Sequence, residues 1–219
     1  MTPLPIAFYR RPALTVAREL LGKTLVHSEG DGLAGGVIVE TEAYVGREDA
    51  ACHSYGLEEP RPGSRTSVMF RPGGCAYVYL IYGMYHCFNV VSGAAEANSP
   101  EAVLVRALEP TLGLEVMRAR RKTRDLKKLC SGPGKLCMAL NIDRDDNGSD
   151  LTGPPLFISS SGQDAPDHRI AVTPRINVSY AGAAASLPYR FVIRDSAFLS
   201  TRKGLPRLNQ PDPGKRADR

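Results

Sequence analysis

The chain has 219 residues, 42% hydrophobic and 23% charged, a balance that excludes wholesale disorder and supplies a core without disulfide or metal staples. Lys and Arg total 28 against 23 Asp and Glu, a net charge of +5, which suits a polyanionic partner. No apolar run approaches the roughly 20 residues of a membrane span, so no membrane partner is expected. Residues 1–21, with Arg10, Arg11, Arg18 and Glu19, lack the apolar stretch of a secretory signal. Cys52, Cys75, Cys87, Cys130 and Cys137 show no CxxC spacing and read as reduced, buried thiols rather than a metal site or disulfides.

In chain order, Ala13, Val16, Ala17, Leu20 and Leu21 follow the i, i+3, i+4 spacing of a helix with one buried face, stopped by Gly22. A strand opens at Leu25-Val26, Glu29-Gly30-Asp31-Gly32 marks a turn, and a strand follows over residues 36–45. Residues 56–74 read as a loop that carries Arg61, Arg65 and Arg71. The runs 76–82 and 85–91, with Gly83-Met84 between them, predict a β-hairpin. Residues 102–108 form another strand, ended by Glu109-Pro110. A helix is predicted over residues 112–129, and Arg118 to Lys128 holds seven basic residues and one acid, Asp125. Ser131-Gly132-Pro133-Gly134 breaks it, and residues 135–140 form a short helix. Late strands are predicted at 157–159, 175–178 and 189–193, and residues 206–219, with Pro206, Pro211 and Pro213, as a flexible C-terminal tail. No linker separates two cores, so residues 1–205 read as one domain of the mixed α/β (α+β) class. The strands follow one another too closely for βαβ crossovers, which predicts a largely antiparallel sheet.

Alternation along residues 37–45 puts Val37, Val39, Thr41, Ala43 and Val45 on one face and Ile38, Glu40, Glu42 and Tyr44 on the other. The second face is either a solvent edge or a site wall with two carboxylates and an aromatic. Residues 103–108 are apolar on both faces apart from Arg106. That strand should be buried, and a buried guanidinium needs a carboxylate or phosphate partner. Glu40 or Glu42 could supply it, in a structural ion pair or in a site. Four of the nine tyrosines, Tyr77, Tyr79, Tyr82 and Tyr85, fall in the hairpin, and Tyr82 beside its turn would project. His86 and Asn89 add polar groups to the returning strand. A projecting aromatic suits insertion between stacked bases, and aromatics with an amide and an imidazole suit reading an extruded base. The histidines at 27, 53, 86 and 168 have no metal-ligand spacing. Asp143 to Gly148 begins like a calcium loop, but Pro154 stands where the closing Glu is needed. Ser131 to Lys135 could hold a phosphate on backbone N–H groups or be only a helix cap and turn. Three other function classes fit these residues: a metal-dependent nuclease with Glu40, Glu42, Glu48 and Asp49 as ligands, a non-catalytic nucleic-acid-binding module, and a structural interaction protein.

The strings ARELLGK (17–23), VETEAY (39–44), EDAACHS (48–54), MFRPG (69–73), YVYLIYGMY (77–85), LVRALEP (104–110) and LCSGPGKLC (129–137) resemble, in the same order and over nearly the whole chain, the alkyladenine (3-methyladenine, methylpurine) DNA glycosylase family. The resemblance implies a single compact domain with a curved antiparallel sheet, flanking helices and a protruding β-hairpin. It implies a monomer without cofactor or metal that acts on double-stranded DNA containing damaged purines: 3-methyladenine, 7-methylguanine, hypoxanthine or ethenoadenine. It assigns Glu42 as general base and Arg106 as its partner at the attacking water. Tyr44, His53 and Tyr79 match pocket walls, Asn89 the amide that disfavours the exocyclic amine of guanine, and Tyr82 the intercalating wedge. Met84, Tyr85, Lys135 and Arg175 are expected at the DNA backbone. No lysine falls among the pocket strings, so the expected product is an abasic site without lyase cleavage. The expected compartment is the cytoplasm, on the nucleoid, in a bacterium and the nucleus in a eukaryote. His86 departs from the family pattern where an aromatic is expected, and residues 143–169 match poorly.

Overall fold

A computed structural model describes residues 1–29, 32–94, 100–160 and 164–205 of the protein. The predicted C-terminal tail, residues 206–219, and residues 30 and 31 of the first predicted turn lie outside the described residues. Two short helices, α1 (Ile6–Tyr9) and α2 (Ala13–Glu19), come first. Ala13, Val16, Ala17, Leu20 and Leu21 are all buried, so the apolar stripe of α2 does face the core. Strands β1 (Thr24–Glu29) and β2 (Gly32–Tyr44) pair with each other. The hairpin is β3 (Ala76–Ile81) and β4 (Tyr85–Ser92), followed by β5 (Glu101–Leu112). Helices α3 (Leu114–Arg121), α4 (Leu126–Leu129) and α5 (Pro133–Leu140) precede the short strands β6 (Leu156–Ser159), β7 (Ile170–Thr173) and β8 (Arg190–Ile193).

These strands form one open antiparallel sheet in the order β3-β4-β5-β2-β1-β6, with β8 paired to β2 and β7 to β8. Strand β2 is the hub. One edge pairs with β5, and the other pairs first with β1 and then, over Glu40–Glu42, with β8. The result is one compact domain of mixed α and β structure. No helix among the described residues is long and apolar enough to cross a membrane.

Strands β2 and β5 depart from strict alternation beside the charged residues Glu40 and Arg106. Ile38 pairs with Leu108 and Glu40 with Ala107, so Val39 is an extra residue on β2. Thr41 then pairs with Val105, so Arg106 is an extra residue on β5. Each bulge reverses the in–out phase. Ile38 and Leu108 therefore join Ala43, Val103 and Val105 in the main core, whereas Val39 and Ala107 pack with Ala171, Val192 and Leu199. The sequence-based faces, with Val39 beside Thr41 and Ile38 beside Glu40, are corrected by these bulges. Nor is there a solvent edge, because Glu40 and Glu42 are completely buried.

Other boundaries differ for local reasons. Strand β5 runs through Pro110, which sits at a register irregularity opposite Gly36 where no ladder bond is required. The predicted helix 112–129 is two helices, because Lys122 adopts a left-handed φ of 49° and Asp125 caps a new start by accepting from Lys127 N at 3.0 Å. Within the loop 56–74, Arg65–Phe70 forms a 3-10 turn capped by Ser64. Residues 175–178 are not a strand; the strand beside β8 is β7, which four residues ending against Pro174 did not reveal. The hairpin loop has three residues rather than two, because Ile81 pairs with Tyr85; Tyr82 and Gly83 adopt φ of 53° and 69°.

Gly113 joins β5 to α3 at φ 66°, and a Cβ there would lie 1.9 Å from the Leu33 carbonyl oxygen. Gly113→Ala combines a left-handed penalty with a backbone clash. It is expected to cost ~2 kcal/mol and to lower the melting temperature by about 4–8 °C. A thermal unfolding curve unchanged from wild type would contradict this close approach.

Candidate active site

Alternation puts Glu40 and Glu42 on one face of β2, and Arg106 shares the face of Leu104, the partner of Glu42, so three charges lie together. Arg106 Nε donates to Glu40 Oε1 at 3.0 Å, and Arg106 Nη1 donates to Glu42 Oε2 at 3.1 Å. Glu40 also accepts from Arg190 Nε at 2.8 Å, from Ser200 Oγ at 2.7 Å and from Ser200 N at 2.7 Å. Glu42 also accepts from the Tyr44 hydroxyl at 3.0 Å and from Ile176 N at 2.7 Å. An ionised carboxylate offers about four lone-pair directions. Among the described residues each carboxylate keeps one oxygen with a single donor, Glu40 Oε2 with Ser200 N and Glu42 Oε1 with Ile176 N. The donors to Glu42, namely Tyr44, Arg106 and Ile176, all line the adjoining cleft, whereas of the donors to Glu40 only Arg106 does. Arg106 is 8% exposed. Burial works against its charge, but Glu42 and Glu40 outweigh burial and hold its pKa above the usual value. Burial, followed by the charge of Glu42, pushes Tyr44 well above the normal phenol range, so it remains a donor to that carboxylate.

A cleft of about 690 Å³ adjoins this cluster, and Tyr44, His53, Tyr79 and Arg106 line it, with Tyr82 at the hairpin side. A recess of about 50 Å³ shares Tyr44, His53, Tyr79 and Tyr180 with the cleft and is completed by residues that include Tyr77, Met69 and Asn89. His53 Nδ1 lies 2.9 Å from the Tyr77 hydroxyl, and its ring meets Tyr79 edge-on at 4.7 Å between centroids. Burial, helped by the Arg65 charge, lowers the His53 pKa to about 4. Asn89 is buried, and its Nδ2 donates to the Tyr77 carbonyl at 3.0 Å, so the amide is pinned to its own hairpin while facing the recess. Tyr82 is 79% exposed, and Met84 and Tyr85 are exposed beside it. Lys135 is exposed on the first turn of α5, whose Pro133 and Gly134 line the cleft.

Thus Glu42, Arg106, Tyr44, His53, Tyr79 and Asn89 converge, and Tyr82, Met84 and Tyr85 gather at the hairpin tip. Arg175 does not join the surface, and its placement at the DNA backbone is corrected. Its side chain is 0% exposed and pairs with both oxygens of Asp49, with Nη2 at 2.8 Å from Oδ1. Strand alternation could not reveal a partner 126 residues upstream. Three contributors escaped the sequence reading. Ile176 acts through a backbone N–H, which no side-chain pattern signals. Arg65 lies 5.2 Å over the Tyr79 ring from within an apparent loop. Tyr180, 70% exposed, lines both cavities, with its hydroxyl on the Ala51 carbonyl at 3.2 Å. The acids considered as nuclease ligands do not converge, since Asp49 belongs to Arg175. Among the described residues no group of three or more His, Cys, Asp or Glu could hold a metal ion. The calcium-like run is a capping box, in which Asp143 and Asp146 close the turn Arg144–Asp146. All five cysteines are free and buried.

The family described as Methylpurine-DNA glycosylase (MPG) matches residues 7–197. A relative from Alkaliphilus oremlandii (strain OhILAs) is 46% identical over 201 residues, covering 88% of this chain and 96% of its own. Another from Myxococcus xanthus (strain DK1622) is 48% identical over 216 residues, covering 99% and 98%, and one from Bacillus cereus (strain G9842) is 45% identical over 205 residues, covering 90% and 98%. Each bears the name "putative 3-methyladenine DNA glycosylase". The chain belongs to the methylpurine-DNA glycosylase family. Membership makes it a DNA glycosylase of base excision repair, a hydrolase acting on N-glycosyl bonds in DNA.

The His53 environment can be checked in solution. A folded-state pKa below the unfolded one means that the unfolded chain binds more protons between the two values. The stability held by neutral His53 is therefore complete above the unfolded pKa of about 6.5 and falls as pH drops toward about 4. An NMR titration of the imidazole should find it neutral at pH 6. A midpoint near the free-histidine value would mean that the recess is wet and open.

Proposed function

We propose that the protein extrudes damaged purines from duplex DNA and hydrolyses their bond to C1′, with Glu42 as the general base. The observation that carries this reading is the contrast between the carboxylates. Of the donors to Glu40 only Arg106 lines the cleft, whereas the donors to Glu42, namely Tyr44, Arg106 and Ile176, all line it, and Glu42 Oε1 accepts one bond alone and keeps a lone pair. Hydrolysis passes through an oxocarbenium-like sugar. It needs a water aligned at C1′ and a group to accept that water's proton, assistance typically worth about 10²–10⁴-fold. Arg106 holds the carboxylate in place.

The aromatic recess suits the leaving base. Tyr44, Tyr79 and His53 offer stacking faces and edges, worth on the order of 1–3 kcal/mol per base. A neutral His53 adds no repulsion against a cationic purine such as 3-methyladenine or 7-methylguanine. Neutral lesions, hypoxanthine and ethenoadenine, require a hydrogen-bonded or protonated purine to leave. Asn89, pinned to the Tyr77 carbonyl, cannot swing away from the recess and so excludes the N2 amino group of guanine by contact. Tyr82, projecting from the hairpin tip, fills the space that the extruded nucleotide leaves, with Met84, Tyr85 and Lys135 toward the backbone. Among the described residues no lysine lines the cleft or recess, which supports a monofunctional enzyme that leaves an abasic site. One chain supplies every one of these groups, which supports action as a monomer.

The test is single-turnover excision from duplexes that contain hypoxanthine, ethenoadenine or 7-methylguanine, read by alkaline cleavage of the abasic product. Glu42→Gln should lose at least ~10²-fold in rate and keep lesion binding. Retention of more than about a tenth of the wild-type rate would sink the assignment, given that magnitude of base assistance. Glu40→Gln strips charge from a cluster with Arg106 and Arg190, so its expected signature is a lowered melting temperature.

A further inference from the structure

Arg175 plays no part in the chemistry above, yet it touches that chemistry from behind. Residues 174–178 belong to no helix or strand, so no ladder holds them. Ile176, the next residue, supplies the N–H that sits on Glu42 Oε1 at 2.7 Å, the oxygen with the open lone pair. The Arg175 guanidinium lies 4.8 Å from the Tyr44 ring centroid and 5.2 Å from that of Tyr189. It does not line the cleft or recess, so it backs Tyr44 on the side away from the substrate. Besides Asp49 it donates to the carbonyls of Ala43 at 3.0 Å and Ala184 at 3.1 Å. It thus ties the end of β2 to the 3-10 segment Ser179–Ser186, which carries Tyr180. Asp49 in turn accepts from Val45 N at 3.2 Å and Ala51 N at 3.0 Å, fixing the loop that leads to His53.

Stability is a poor reason for this arrangement. A buried ion pair is on average no better than apolar packing, and Arg175 Nε is a buried donor with no acceptor among the described residues. We infer that Arg175 and Asp49 form a positioning pair for base excision, holding the Ile176 N–H on Glu42 and the back of Tyr44 so that the open lone pair of Glu42 faces the attacking water. The inference rests on Glu42 being the general base. Lysine at 175 would restore the charge but not the fork that reaches both Asp49 oxygens and two carbonyls.

A double-mutant cycle on hypoxanthine excision tests it, using Arg175→Lys, Glu42→Gln and the combination, with binding to a duplex holding an abasic-site analogue as control. That duplex has no base to place in the recess, so it reports the hairpin and backbone contacts alone. Arg175→Lys should lower the single-turnover rate by at least ~10-fold, since small misplacements of a reacting group carry such losses, while affinity for the abasic duplex stays within about threefold. In the Glu42→Gln background the same change should have almost no further effect, the coupling expected when one residue acts through another. A rate near wild type for Arg175→Lys, or losses that multiply in the double variant, would overturn the inference. If Arg175→Lys does not fold, Asp49→Asn carries the same test from the other side of the pair; if neither folds, the pair is a folding element and the inference fails. Failure of the premise is distinguishable: an active Glu42→Gln removes the base assignment, whereas an inactive Glu42→Gln with an unimpaired Arg175→Lys removes only the positioning role.

Discussion

The Arg106 guanidinium, buried between Glu40 and Glu42, is the interaction on which the rest of the structure depends. Three charges withdrawn from water are tolerable only if nearly every donor and acceptor finds a partner. The fold meets that condition with groups drawn from distant parts of the chain: Arg190 on β8, Ser200 beyond it, and the Ile176 N–H on an irregular segment. Alternation and the pairing of Glu42 with Leu104 keep the three side chains on one face, and the two bulges, at Val39 and Arg106, sit beside them without breaking the β2–β5 ladder.

That cluster also separates two acids that look alike in the sequence. Glu40 is enclosed by donors and serves as an anchor for two arginines. Glu42 is held just as firmly, but its donors Tyr44, Arg106 and Ile176 all line the cleft, and its Oε1 keeps one acceptor direction there. A rigid carboxylate with a single open lone pair is what base catalysis needs, since the attacking water then has one place to sit. The aromatic recess complements this arrangement. Burial in it lowers the His53 pKa and raises that of Tyr44, which disfavours a charge on either ring.

Much of this was legible in the sequence, and the illegible part has specific physical causes. The α2 stripe, the tyrosine-rich hairpin and the antiparallel character follow from periodicity and short connections. Arg106, alone among apolar residues, announced a buried partner, and Tyr82 beside a turn announced a projecting ring. The roles of Glu42 and Asn89 came from resemblance rather than from pattern. Bulges were invisible because period-two reasoning assumes that no residue is extra. Arg175 misled because a lone arginine near the C-terminal end reads as surface charge, while its partner Asp49 lies far upstream in an acidic run. Ile176 had no side-chain signal at all, since its contribution is a backbone N–H whose direction depends on an irregular segment.

The most direct test of the central claim, that Glu42 aligns the water, is a crystal structure of the protein on a duplex whose target nucleotide is a cationic pyrrolidine abasic analogue, with the free base added. The nitrogen of that ring imitates the charge that develops at the sugar during bond cleavage. The account predicts one water within about 2.6–3.2 Å of Glu42 Oε1, the hydrogen-bond reach required of a general base, and facing the pyrrolidine nitrogen, with Tyr82 inside the base stack. A water held in that position by another side chain, with Glu42 still sealed away by Tyr44 and Arg106, would contradict it.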